Sequence, residues 1–442
     1  MQTFANMACT RCGCACDDLR LSVERGRIVA VEPACPLAEP WFLGQDSRSP
    51  PVALIGGRPA PLGAALEHAA WLLRSAAAPL VYGLSRSSTD GQRAAISLAE
   101  CLGAVVDTTA SLCHATSMMA IQEVGESTCT LGEVKNRADL VVYWGANPVE
   151  SHPRHLERYA VWPSGRYAPA GRANRTLVVA DVEPSASSAL ADLFVPIKPG
   201  ADFEALCTLR ALVRGLSLQT AAATGAALPL LRELACKLTS CRFGIVFFGL
   251  GLSMTGAAHH NVEALLLLVR DLNEHRRFFA RPLRVLGDVT GADTVLLWQT
   301  GYPFGVDLSR GHPRYNPGEF TANDLLERGD VDACLLVGSE GTGRFSAAAL
   351  AHLRSIPLVV LDYPTEGSDL EAAVRFTTAV YGVHRAGTAY RMDGVPIRLR
   401  AVLSSAYPTD EEILHGLEVR LGSCRTPSNS SFRPSTTARS HA

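Results

Sequence analysis

Six short, almost uninterrupted apolar runs constrain what this chain can fold into. They are PLVYG (79–83), DLVVYWG (139–145), TLVVAD (176–181), FGIVFF (243–248), ACLLVG (333–338) and PLVVLD (357–362). A strand with one wet face alternates apolar and polar residues, whereas a strand buried on both faces does not. Between the runs lie helical patterns. One is GQRAAISLAECL (91–102); another spans 261–273, with Val262, Leu265, Leu266, Val269 and Leu272 on one face. Buried strands separated by helices describe parallel sheets in doubly wound α/β units. The 442 residues suffice for two such lobes. We place the first lobe at 46–108 with 330–415 and the second at 109–329. Residues 1–45 form a separate segment, and the Ser/Thr/Pro/Arg-rich stretch 425–442 is expected to be disordered.

The N-terminal segment carries Cys9, Cys12, Cys16 and Cys35, spaced C-x2-C-x3-C and then eighteen residues to the fourth. Thiolates at such spacings can turn onto one cuboidal 4Fe–4S cluster. Between Cys16 and Cys35, Leu19, Leu21 and Val23 alternate with polar residues, Arg25-Gly26 makes a turn, and Ile28, Val29 and Val31 return. Such a hairpin brings Cys35 back beside the other three. A four-Cys zinc site is the alternative, although zinc sites usually show two C-x2-C pairs and this chain has one. Cys14 is an extra thiol inside the motif.

A net charge of -2 gives no basic surplus to suggest nucleic acid as a partner. The thirteen cysteines are one cluster plus scattered residues, unlike a disulfide framework. The apolar stretch 243–254 is too short and Gly-broken to span a bilayer. No membrane association and a cytoplasmic location are the expectations.

Ligands of doubly wound sheets bind outside the carboxyl ends of the strands. There the chain places Gly145 and Asn147, then Asp181 and Glu183, then Asp202 in PIKPGAD (196–202), and Asp362 with Tyr363. One such loop alone reads as an ordinary polar connection. The repeated pattern suits a long nucleotide-containing cofactor lying across both lobes.

The four-Cys segment, the WGANP loop and the segment ADLFVPIKPGAD resemble the molybdopterin oxidoreductase superfamily. More narrowly, CxxCxxxCDD, SLCHATS, CTLGEVKNRADLVVYWGANPVESHPRH, WQTGYPFGVDLSRGHPRYNPGE and GTAYRMDGVPIRL resemble the B-type subunit of formylmethanofuran dehydrogenase. The related subunit of the bacterial formyltransferase/hydrolase complex shares the type. The likeness runs from about Cys9 to Leu414. It implies a tungsto- or molybdo-bis(pterin guanine dinucleotide), with Cys113 as the metal ligand, and a small one-carbon substrate. A soft thiolate suits such a metal. His114 is placed to take or give a proton. Arg310 or Arg314 offers a fork for the two oxygens of formate, with Arg310 slightly preferred. Without the resemblance, Cys113 reads as a buried inert thiol and the arginines as surface residues.

Two departures accompany the likeness. The superfamily commonly has a Lys or Arg just after the fourth cluster Cys; here Pro36, Leu37, Ala38 and Glu39 follow Cys35. Too little chain remains after GTAYRMDGVPIRL for the superfamily's C-terminal β-barrel. The resemblance implies sister subunits, among them an amidohydrolase-type (A-type) one and a C-type one, and a ferredoxin-like electron partner. It leaves two classes open: a redox subunit interconverting CO2 and formate, or a non-redox scaffold with an empty pterin site.

Overall fold

In the computed structural model, residues 1–45 and 47–422 are described; the expected disordered stretch 425–442 lies outside them. Two sheets form the body. The first has nine strands, of which five run parallel in the spatial order 105–108, 79–83, 333–337, 358–362, 374–377. The second has five strands, all parallel, in the order 193–196, 176–181, 140–144, 243–248, 277–282. Each sheet reverses direction once: between 79–83 and 333–337 in the first, and between 140–144 and 243–248 in the second. These are the switch points at which doubly wound sheets hold ligands. Helices cover both faces, which explains why the six runs are apolar throughout. No β-barrel occurs among the described residues.

The expectation that 109–329 forms one lobe fails at its C-terminal end. Helix Val289–Thr300 packs on helix Thr89–Leu102, and 306–307 pairs antiparallel with 105–106 in the nine-stranded sheet. Two-residue strands leave no periodic signature in the sequence.

The segment 1–45 is a three-stranded antiparallel sheet, Gln2–Met7, Leu19–Glu24 and Arg27–Glu32. Its turn at Arg25-Gly26 has φ of 51° and 77°. Positive φ at both central residues matches the strand twist of a two-residue hairpin.

Candidate functional site

The cysteine loop is closed by Cys9 N–H donating to Cys16 O at 2.9 Å and by Ala15 N–H donating to Cys12 O at 3.2 Å. Ala15 sits at φ 38°, a left-handed turn that folds the loop inward. From the far side, Cys35 O accepts from Ala38 and Glu39 N–H, each at 3.1 Å, as helix Ala38–Leu43 begins. The outcome is one small pocket lined by all four cysteines together with Cys14, Arg11, Leu19, Leu37, Pro153 and Arg154. Cys9, Cys14 and Cys16 are buried, and Cys12 and Cys35 half-buried.

Burial pushes the Cys9 thiol well up, and the charges of Cys12, Cys16 and Cys35 push it further. Cys16 is pulled down to about 7, first by a hydrogen bond from Cys14 and then by Arg154 and Arg158. Four cysteines lining one pocket are the donor set that a 4Fe–4S cluster takes. Among the described residues, no group of three or more His, Cys, Asp or Glu is gathered closely enough to hold a metal ion.

Cys113 follows the end of strand Val105–Thr108 through a 3₁₀ turn, Thr109–Leu112. It is 2% exposed and packs against Ala110 and Val289. The short helix Leu250–Ser253, at the second sheet's switch point, reaches it: Ser253 Oγ donates to Cys113 O at 3.1 Å. Gly145 and Gly251 let the chain pass here, since a Cβ on Gly145 would lie 2.6 Å from Leu252 N. His114 is buried with both ring nitrogens occupied, Nδ1 at 3.0 Å from Ser117 Oγ and Nε2 at 3.1 Å from Leu283 O. A carbonyl can only accept, so Nε2 carries the proton and Nδ1 accepts from the hydroxyl. Burial, reinforced by the charge of Arg284, lowers its pKa to about 3, so the imidazole is neutral.

The arginine expected beside Cys113 is a different one. Arg310 is exposed, and Arg314 pairs with Asp307 and lies over the Phe320 ring. Facing Cys113 instead is Arg284, which follows the last strand of the second sheet. It is 3% exposed and ion-paired with Asp293, which also accepts from Thr108 Oγ1 at 2.7 Å. Burial raises the Cys113 pKa, and the Arg284 charge opposes it. A lone Arg in an irregular loop gives the sequence no signal; only its burial singles it out.

Arg284 also ties the two sites together. Its carbonyl accepts from Gly13 N–H at 3.1 Å and from His152 Nε2 at 2.8 Å, and Cys12 bridges to Val285. A Cβ on Gly13 would lie 2.3 Å from Arg284 O, so only glycine seats the cysteine loop there. No cation follows Cys35 in sequence; Arg284 meets the cysteine loop with its carbonyl and faces Cys113 with its guanidinium.

The strand-end residues divide between the two sheets. At the second sheet, Asn147 Oδ1 accepts from Ser187 Oγ at 2.6 Å. Asp202 Oδ1 accepts from Trp144 Nε1 at 2.8 Å, while its buried Oδ2 has no partner. Asp181 is half-buried with its pKa raised by burial, and Glu183 is exposed. At the first sheet, Asp362 accepts from Ser339 N–H and Oγ, each at 2.8 Å, and burial raises its pKa to about 6. It shares a cavity with Arg86, Glu340, Tyr363 and Glu366.

No helix of the described residues is long and apolar enough to cross a membrane.

No family model matches the chain. It is 40% identical over 423 residues to the B-type subunit of tungsten-containing formylmethanofuran dehydrogenase 2 of Methanocaldococcus jannaschii, covering 94% of this chain and 97% of that one. The protein of the same name from Methanococcus maripaludis is 37% identical over 412 residues, 92% and 95% of the two chains. The B-type subunit of the formyltransferase/hydrolase complex Fhc of Methylorubrum extorquens is 28% identical over 288 residues, 65% of this chain and 74% of that one. Among solved structures, the formyltransferase/hydrolase complex (FhcABCD) from Methylorubrum extorquens with methylofuran matches with a TM-score of 0.68 at 27% identity, over 84% of this chain and 98% of the matched one. Acetylene hydratase from Pelobacter acetylenicus matches with a TM-score of 0.69 at 14% identity, over 95% of this chain and 69% of that one. The last likeness concerns the fold alone. Relatives matched nearly end to end at 37–40% identity leave one conclusion: the chain belongs to the B-type subunit family of formylmethanofuran dehydrogenases.

Proposed function

We propose that this chain is the redox subunit of a formylmethanofuran dehydrogenase-type complex, interconverting CO2 and formate at a tungsten or molybdenum pterin. The observation that carries this reading is the buried Cys113 facing Arg284, with Arg284 in turn joined to a cavity of converging thiols. Reducing CO2 to formate takes two electrons and one proton, so a site for it needs an electron inlet and a proton source. In our reading Cys9, Cys12, Cys16 and Cys35 would hold a 4Fe–4S cluster, which would supply electron transfer from a ferredoxin-like partner. Cys113 would hold the metal of a metal–pterin, which would supply the two-electron chemistry. The guanidinium of Arg284 favours the carboxylate charge that develops beside it. His114 presents a neutral imidazole in a dry site, with Nε2–H held by Leu283 O and Nδ1 by Ser117, so it orients groups beside Cys113, and the proton is taken from solvent. Gly145, Asn147, Asp181 and Asp202 at strand ends of the second sheet, and Asp362 at a strand end of the first, would support the two dinucleotide arms of the cofactor. A sister amidohydrolase-type subunit then joins formate to the methanofuran carrier or releases it. Other sister chains cover the side of the site that a barrel would close.

The test is formate oxidation with an artificial electron acceptor, using the complex co-expressed with its sister chains. Cys113→Ser should abolish activity while the complex still assembles. A second reading rests on the solved formyltransferase/hydrolase relative and on the deep burial of Cys113: a non-redox subunit with an empty pterin site. Wild-type and Cys113→Ser complexes that are equally inactive in this assay, yet equal in formyl transfer, would establish that reading instead.

A further inference from the structure

Two histidines from separate motifs, His114 in SLCHATS and His152 in ESHPRH, converge on one short stretch of backbone. Strand Arg277–Pro282 ends there, and Leu283 N–H still donates to Phe248 O at 2.8 Å. Arg284, one residue further on, lies past the sheet. Its carbonyl takes two donors instead, Gly13 N–H at 3.1 Å and His152 Nε2 at 2.8 Å. One residue earlier, Leu283 O is bonded to His114 Nε2 at 3.1 Å. A carbonyl can only accept, so each imidazole donates from Nε2. Both rings are 1% exposed, and their Nδ1 atoms lie 3.0 Å from Ser117 Oγ and 2.9 Å from Ser151 Oγ.

A peptide unit is planar. Leu283 O belongs to the plane that enters the Arg284 Cα, and Arg284 O to the plane that leaves it. An imidazole on each plane therefore sets φ and ψ of Arg284 from both sides, and with them the direction of its side chain. The guanidinium end is held by Asp293, which also accepts from Thr108 Oγ1 at the end of the strand that leads to Cys113.

We propose that His152 is a positioning residue of the carboxylate site: with His114 it clamps the two peptide planes around Arg284 and so aims the guanidinium. The proposal rests on the reading given above, in which Arg284 faces the carboxylate of formate. A misplacement of about 1 Å can cost about a hundredfold in rate. Losing one of the two donors on Arg284 O should cost less, about tenfold. Formate carries its charge before it reacts, so the loss should fall on KM and spare kcat.

The experiment uses the complex co-expressed with its sister chains, with wild-type, His152→Leu, His152→Asn and His152→Gln chains. The readouts are KM for formate, kcat per tungsten or molybdenum, and iron content. A Gln amide nitrogen stands as many bonds from the backbone as Nε2 does, whereas that of Asn is one bond short. His152→Leu and His152→Asn should raise KM about tenfold with kcat and iron content little changed, and His152→Gln should restore KM. Should His152→Leu fail to assemble, His152→Asn and His152→Gln carry the same test. An unchanged KM in the variants without the donor, with any loss confined to kcat or iron, would make the bond merely structural and overturn the proposal. So would a KM in His152→Gln as high as in His152→Asn. A wild-type complex that oxidises no formate would instead remove the redox reading itself, and the proposal with it.

Discussion

At the scale of single residues, the pair Arg284 and Asp293 does two jobs that can be separated. Both are buried, so truncating one leaves the other's charge without a partner. Arg284→Ala should therefore destabilise the chain by about 3–5 kcal/mol, whereas replacing a buried pair by well-packed apolar residues is often close to neutral. The double variant Arg284→Met with Asp293→Leu should recover much of the lost stability in thermal denaturation but no formate oxidation. Recovery of both would make Arg284 a structural residue only. Glu126 acts through pH instead. Burial raises its carboxyl pKa from 4.5 to about 7, and its buried Oε1 has no hydrogen-bond partner. The folded chain thus holds a proton that the unfolded chain releases between those values. Its contribution to stability is fully present below pH about 4.5, is lost as pH rises through about 7, and is then constant. Glu126→Gln should flatten the fall in melting temperature across that window. Parallel melting curves for the two proteins from pH 5 to 8 would contradict the assignment.

At the scale of elements, most strands are legible in the sequence because burial on both faces leaves nothing but apolar side chains. TLVVAD and FGIVFF are the strands Thr176–Asp181 and Phe243–Phe248, and PLVYG is Pro79–Gly83. The strand Arg277–Pro282 is not, since RFFARP begins on an exposed Arg and carries a second Arg that bonds the 128–129 and 392 backbone and side chain. Nor is Gln2–Met7, a largely exposed strand of the small sheet. The hairpin that returns Cys35 follows from alternation and an Arg-Gly turn. The joint between the cysteine loop and Arg284 does not, because it depends on one backbone hydrogen bond between residues far apart in sequence. That joint is testable at Gly13, where the nearest neighbour to an added Cβ is backbone and cannot yield cheaply. Gly13→Ala should cost about 1–3 kcal/mol as overpacking. It should lower iron content more than it disturbs far-ultraviolet circular dichroism. Full iron content in that variant would show that the loop seats without the Arg284 carbonyl.

At the scale of the whole molecule, two doubly wound sheets meet at the carboxyl ends of their strands. Cys113 comes from the end of a strand of the first, and Arg284 from the end of a strand of the second. Sequence motifs point to Cys113 and His114, but to Arg310 rather than Arg284. SLCHATS is a local signature, while Arg284 is brought in only by the packing of one lobe on the other. The relatives matched nearly end to end are named as tungsten-containing dehydrogenase subunits, and the formyltransferase/hydrolase subunit matches over a shorter stretch. A metal–pterin held at Cys113 and fed by an iron cluster is checked with least ambiguity by elemental analysis of the intact complex purified without air. Wild type should contain tungsten or molybdenum together with iron, and Cys113→Ala should lose the tungsten or molybdenum while retaining the iron. A wild-type complex containing neither tungsten nor molybdenum would show that no such cofactor is held there.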